Sequence, residues 1–283
     1  MAFRQRLHLA RASLFWIFCA IALAIIVLPA IDIVVSTIQA AAPALRPEII
    51  THTTATDGLQ NAIVGTLVLS VGVLVTAGPV GVLGGLYIAE FAPARLASVL
   101  RFFSEVLSGV PSIVVGYVGY IVLVVGLKWG YSLLGGILAL GTLIVPYIVK
   151  TTEVSFSSVP RSLREASTAL GLPKTKMIRK VLLPPALPGI ISGLVIAIAI
   201  STGETAPLLF TANFSNTNPT TLLHNPIGYL TGVTYFDLQQ PGASYAALAN
   251  AAAGVTIILI LLLIFSGRLI TARSRRMVAR MDV

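Results

Sequence analysis

The sequence predicts an all-α polytopic membrane protein with six transmembrane helices. Three observations carry this. Of the 283 residues, 56% are hydrophobic and only 10% are charged, where a soluble domain carries about 25% charge. Six apolar runs recur, each long enough for a hydrocarbon core that takes about 20 helical residues to cross. The basic residues are sorted by loop, which is the pattern of a chain threaded repeatedly through a bilayer.

Taken in order, the runs are roughly Leu14–Ser36, Ala62–Ala89, Phe102–Leu127, Tyr131–Val149, Ala186–Leu209 and Tyr245–Ile270. The first is longer than a signal-peptide core and no small-residue cleavage site follows, which predicts a retained span. Cys19, the single cysteine, sits in it as a small apolar packing residue and excludes an intrachain disulfide. The second and fourth runs are punctuated by Gly81, Gly84-Gly85, Gly135-Gly136 and Pro146, which in a membrane allow close helix approach or a kink. Two outward loops are expected. One runs from about Ile38 to Gln60. The other, from about Phe210 to Ser244, has no Lys or Arg and is longer than an ordinary connection, which suits a functional loop or a contact for an external protein as well as it suits an irregular surface. Little chain remains for a soluble unit, so residues 1–283 read as one membrane domain with a core of about 62–270.

The net charge is +9. All basic residues except Arg46 and Lys128 fall on one side: Arg4, Arg6 and Arg11; Arg95 and Arg101; the loop after the fourth run; and Arg268, Arg273, Arg275, Arg276 and Arg280. The positive-inside rule places both termini and that loop in the cytoplasm. The charge reads as topology and lipid contact, not as nucleic-acid binding. Of the acids, Asp32 is expected near interface water, Glu90 at the inner interface, and Glu105 beside Arg101 as an i−4 pair. His8, His52 and His224 lie apart on both sides, so no metal cluster is expected. An intramembrane protease is disfavoured, since no His lies within a run and Asp32 is the one Asp there.

The inner loop of about 150–185 is the most specific feature. Pro160 suits a helix start, Gly171 the left-handed residue past a helix end, and Pro173 the opening of a second short helix. Leu163, Ala166, Ala169 and Leu170 fall at helical spacing as a narrow apolar stripe, flanked by Arg161, Arg164 and Glu165. Lys174, Lys176, Arg179 and Lys180 follow near the membrane surface, and Pro184, Pro185 and Pro188 are expected to redirect the chain into the fifth span. Such a helix fits a groove on a partner or lies on lipid; composition leaves both open.

Glu165-Ala166-Ser167, Gly171 and Val181-x-Leu183-Pro184 resemble the coupling signature of bacterial ABC importer permeases, with Ser167 and Val181 as departures. Gly203-Glu204-Thr205-Ala206-Pro207-Leu208-Leu209, and Val110-Pro111-Ser112 through Gly116 in the third run, are similar to motifs of phosphate-specific permeases of the PstA type. The resemblance covers about 62–270. It implies the type I ABC importer permease fold and a bacterial inner-membrane location. It also implies a homologous sister permease of the PstC type, an ATPase dimer of the PstB type and an external phosphate-binding protein of the PstS type. The chain has no G-x-x-x-x-G-K-[ST] phosphate loop. It is therefore expected not to be an enzyme itself and to bind no cofactor, with ATP and Mg held by the partner ATPase. A channel working without ATP has no use for such a loop.

Ser201, Thr202, Gly203, Glu204 and Thr205, with Pro111 and Ser112, are the expected substrate path. An ionisable residue at membrane depth is costly and marks function. A carboxylate accepts a hydrogen bond from the P–OH of phosphate, whereas sulfate offers only acceptors. Glu204 is read either as this discriminator or as a partner for an Arg of the sister subunit. Relatives often carry Arg four residues before this Glu; here it is Ile200. Phosphonate, sulfate and molybdate are the alternative cargoes.

Overall fold

The computed structural model describes the backbone of residues 2–218 and 220–279 and the side chains of residues 14–218 and 220–272. Arg4, Arg6, Arg11, Arg273, Arg275, Arg276 and Arg280, used above for orientation, lie outside the described side chains.

The described residues form helices and connecting segments with no strand. Helix α1 (Ala2–Ala41) leads through short 3₁₀ turns to α2 (Gln60–Glu90). Then come α3 (Ala94–Ser108) and α4 (Ser112–Gly119), the latter prolonged by a π-helical stretch Tyr120–Gly126. Helix α5 spans Leu133–Ser157, α6 Arg161–Ala169 and α7 Lys174–Met177, which passes through a π turn, Ile178–Leu182, into α8 (Leu183–Gly203). Helices α9 (Ala206–Thr211), α10 (Leu230–Asp237) and α11 (Ala243–Ala279) complete the chain. Among the described residues, five helical stretches are long and apolar enough to cross a membrane, and the α3–α4 pair makes a sixth if counted as one span.

The core is the packing of α2, α5 and α8, with α11 against α8. Leu69, Val73, Leu140, Ile144, Ile148 and Leu208 are buried at its centre. The helices approach closely because small residues line the contact. A Cβ on Gly85 would stand 2.5 Å from the Val149 carbonyl oxygen, closer than packed atoms come. The punctuating glycines are thus packing sites, as expected for spans that associate through small residues. Helix α1 packs mainly along α11 and presents most of its apolar surface outward. Cys19 is exposed on that surface, so its packing role is not met within this chain.

Three expectations about boundaries change. The run Phe102–Leu127 is not one straight span. Its two helices meet at 93°, because Gly109 and Pro111 interrupt the ladder and the residue before a proline is driven out of the helical region. Hydrophobicity continues through the break and hides it. Helix α5 extends two turns past Val149, to Ser157, and there Thr151 and Ser155 satisfy their hydroxyls on the Tyr147 and Thr151 carbonyls of their own helix. Pro184, Pro185 and Pro188 do not redirect the chain, which runs helically from Lys174 to Gly203. The wider π turn before them leaves room for the proline rings. The inner loop between spans therefore shrinks from about 150–185 to roughly residues 158–173. The long loop after α9 also contains α10, whose Leu230 and Val233 are buried against α2 and α11.

Candidate functional site: the α6 hairpin and the α8 break

Pro160, with φ −54° and ψ 138°, turns the chain out of α5 and directly precedes α6. The helix ends in a complete left-handed cap. Gly171, at φ +67°, donates its N–H to the Thr168 carbonyl at 2.9 Å, and Leu172 donates to the Ser167 carbonyl at 3.1 Å. These two bonds satisfy carbonyls that a helix end otherwise leaves without partners. The stripe Leu163, Ala166, Ala169 and Leu170 is exposed, Leu170 at 79%. Arg161 and Glu165 are exposed beside it, whereas Ser167 is turned inward and bonds the Leu163 carbonyl. Leu183 and Pro184 are half-buried at the start of α8.

Arg164 does not share the exposed edge with Arg161 and Glu165. Its guanidinium is inserted between the ends of α2 and α5. One nitrogen donates to the Val159 carbonyl at 2.7 Å; the other donates to the Phe156 carbonyl and to Glu90 Oε1, both at 2.7 Å. The Glu90 side chain is 6% exposed. The physics is direct. Two helix C-termini converge here, each bearing partial negative charge, and Glu90 adds a full one. A planar cation with several donors answers all three. Glu90 is thus a buried ion-pair partner and not merely an interfacial acid. Next to it, Lys174 at the start of α7 places its ammonium 4.4 Å from the centre of the Phe91 ring. Glu105 also departs from expectation. Arg101 bonds Glu153 of α5 at 2.6 Å, and Glu105 faces Lys150 at 4.0 Å. The 93° bend lays α3 across α5 and offers these cross-helix partners in place of the i−4 one.

At the other end of α8 the helix stops at Gly203. Glu204 is extended, with ψ 134°, and α9 starts at Ala206. The expected path residues separate here. Ser201 and Thr202 are buried inside the chain's own helix packing. Both hydroxyls bond the Ile198 carbonyl, and the Thr202 hydroxyl also meets that of Ser70 on α2 at 3.1 Å. With Thr66, Tyr229 and Thr231 they line a cavity of about 10 Å³, roughly the space of one water. The Tyr229 hydroxyl is buried without a partner among the described residues. Gly203 is exposed, and Glu204 and Thr205 are half-buried; Ile196 and Ile200 share that open face of α8. Thr231 donates to the Glu204 carbonyl at 3.0 Å, leaving the carboxylate without an ion-pair partner among the described residues.

The third-run motif reaches this region through Gly116. A Cβ there would stand 2.7 Å from Pro207 Cα, so glycine lets α4 lie directly on α9. Pro111 and Ser112 themselves sit at the 93° bend, one exposed and one half-buried. No hydrogen bond joins them to residues 201–205 among the described residues. Sequence reasoning missed Asn61. It is fully buried, receives the Thr54 N–H at 2.9 Å and donates to the Ser215 carbonyl at 2.9 Å, tying both outer loops together. An amide directly at the start of an apolar run was the available signal.

Comparison with known proteins places this geometry. Residues 81–278 match the family model described as binding-protein-dependent transport system inner membrane component. The phosphate transport system permease protein PstA 2 of Mycobacterium bovis is 45% identical over 93% of this chain and 89% of its own length. The PstA protein of Yersinia pestis is 40% identical over 78% and 75%, respectively. In fold, a chain of a bacterial alginate ABC transporter superposes with a TM-score of 0.64 at 17% identity, covering 94% of this chain and 96% of that one. A chain of the MetNI methionine ABC transporter gives 0.62 at 23%, covering 81% and 99%.

Proposed function

The chain belongs to the binding-protein-dependent transport system inner membrane components, and from that premise we propose that it is the permease subunit of an ATP-driven importer of inorganic phosphate. The observation that carries the reading is α6, a short capped helix between two spans. It leaves an apolar stripe uncovered while Arg164 fastens it to the membrane core. That is the form of a lever awaiting a groove on a partner. The partner is a cytoplasmic ATPase subunit, present as a dimer and carrying the ATP and Mg. Chemistry on nucleotide belongs to it; this chain moves. The basic end, with α6 and both termini, faces the cytoplasm.

The open face of α8 supports a cargo path shared with a homologous sister permease. Ile196, Ile200, Gly203 and Glu204 lie along it, and α8 itself, with Ile200 at this level, offers no Lys or Arg there. An anion path needs positive potential, so the sister subunit supplies it. Glu204 then accepts the P–OH of phosphate and disfavours sulfate. Ser201 and Thr202 act from behind, holding the break, and the cargo is delivered by an external phosphate-binding protein. ATP-driven closure of the ATPase pair tips the permease halves by rigid-body motion.

The test is ATP-driven uptake of labelled phosphate and sulfate by the complete complex in liposomes, with and without Glu204→Gln. We expect phosphate uptake in the wild type. In the variant, discrimination between the two ions falls by about tenfold, the scale of one lost buried hydrogen-bond match of about 1.4 kcal/mol. Full uptake with unchanged selectivity removes Glu204 from the path.

A further inference from the structure

Both halves of the α6–α7 hairpin are held by two adjacent residues at the end of α2. Arg164 of α6 reaches Glu90 at 2.7 Å, and Lys174 of α7 lies over the Phe91 ring at 4.4 Å. Phe91 is braced in turn by Tyr87, one turn back on α2, with ring centroids 6.4 Å apart. These contacts do different things. The guanidinium fixes direction, because three acceptors at 2.7 Å define the plane of its fork. The ammonium over the ring resists rotation of the hairpin about that fork. Remove the first and α6 still has its cap; remove the second and α7 still continues into α8.

We propose that Glu90 and Phe91 are the receiver of the hairpin's motion, with Arg164 and Lys174 as the positioning residues that transmit it to α2. This rests on the reading of α6 as the ATPase docking helix and goes beyond it. The exposed residues Leu163, Glu165 and Ala166 receive force from outside; the inward residue Arg164 passes it on. Sequence alone groups Arg161 and Arg164 together as flanks of one stripe. The structure separates them, one on the exposed edge and one in the joint. The grip is rigid and stays closed through the transport cycle, so the hairpin and the end of α2 move as one body. A gate contact, in contrast, has to break.

The experiment uses the complete importer in liposomes with inorganic phosphate and external binding protein. It reads phosphate imported per ATP hydrolysed, together with copurification of the ATPase subunit. Glu90→Gln combined with Phe91→Leu is expected to keep the complex assembled and ATP hydrolysis within about twofold. Phosphate moved per ATP falls by about tenfold, inside the usual range of coupling between sites. A second variant guards against simple misfolding. Cysteines replace Glu90 and Arg164 in a Cys19→Ser background, before and after bridging by a short bis-methanethiosulfonate. The unbridged form is expected to uncouple, and the bridged form to recover transport per ATP. Three results overturn the proposal: coupling unchanged in the first variant, transport blocked by bridging, or loss of assembly that bridging does not restore. Failure of the docking reading itself looks different, since Glu165→Lys on the exposed face of α6 then leaves ATPase copurification and transport per ATP unchanged.

Discussion

Gly171 offers a clean measure of how much the docking helix depends on its cap. Its φ of +67° is a left-handed conformation, and a Cβ built on it meets nothing within 4 Å. A side chain here therefore costs backbone strain and no collision. For an ordinary L residue that strain is about 1–2 kcal/mol, and asparagine tolerates the region best. The strain falls on the two bonds that close α6, from Gly171 and Leu172 to the Thr168 and Ser167 carbonyls. A helix of nine residues has little stability of its own. On the proposed docking at α6, the fraction of molecules with α6 formed sets the apparent affinity for the ATPase subunit. A loss of 1–2 kcal/mol thus weakens docking by up to about 5- to 30-fold. The assay is titration of the ATPase subunit onto the permease pair in nanodiscs, with Gly171→Asn, Gly171→Ala and Gly171→Val. Affinity is expected to fall in that order, valine last because its branched Cβ tolerates positive φ worst. If alanine binds as tightly as glycine, or asparagine more weakly than alanine, cap strain does not control docking.

Two further outcomes follow from packing and burial. Gly85→Val places its Cβ 2.5 Å from the Val149 carbonyl oxygen and 2.7 Å from Thr152 Cβ; overpacking of this kind costs about 1–3 kcal/mol, so Tm in detergent should fall, and an unchanged Tm would mean that α2 and α5 part easily. Burial pushes the Asp237 carboxyl above its ordinary value, so the folded state holds this proton more tightly than the unfolded. Its favourable contribution is complete below the unfolded carboxyl range, near pH 3.9, and fades as pH rises through the raised value. Asp237→Asn should therefore raise Tm at pH 7 and give no gain at pH 4; an equal gain at both pH values would exclude burial as the cause.

The spans were legible because hydrophobicity integrates over about 20 residues and tolerates local error. What it does not resolve is where a helix ends inside apolar sequence. The break at Gly109–Pro111 and the stop at Gly203 both lie within apolar runs, and only the turn-forming residues mark them. The cap at Gly171 was readable since a left-handed residue has a strong glycine preference, and the φ of +67° agrees. The direction of side chains was not readable. Arg161 and Arg164 look alike in sequence, as do Ser201 and Thr205, yet Arg161 is exposed where Arg164 is half-buried, and Ser201 is buried where Thr205 is only half-buried. Which face a residue takes depends on neighbours from distant segments, here two residues of α2, Glu90 beside Arg164 and Ser70 beside Thr202. The continuous passage from α7 into α8 was hidden for a similar reason. Three prolines in five residues read as an interruption, and the π turn that accommodates them leaves no simple signature.

Helix α2 joins the two halves of the site, which explains why the joint at Glu90 matters for a break on another helix. Its 31 residues make a rod of roughly 46 Å. At one end it holds the hairpin through Glu90 and Phe91. In its other half, Ser70 meets Thr202 at 3.1 Å, and Thr66 accepts the Leu230 N–H at 2.9 Å. Thr202 is two residues before Glu204, and Leu230 opens α10, whose Thr231 holds the Glu204 carbonyl. In the proposed coupling, displacement of the hairpin reaches Glu204 along α2 and these three hydroxyl contacts. Those contacts are weak enough to slide, each worth about 1 kcal/mol, whereas the Arg164 joint is multidentate and charged. On the proposed function, stiffness at the hairpin and compliance near Glu204 are what a lever needs if a large pull is to become a small opening beside one carboxylate.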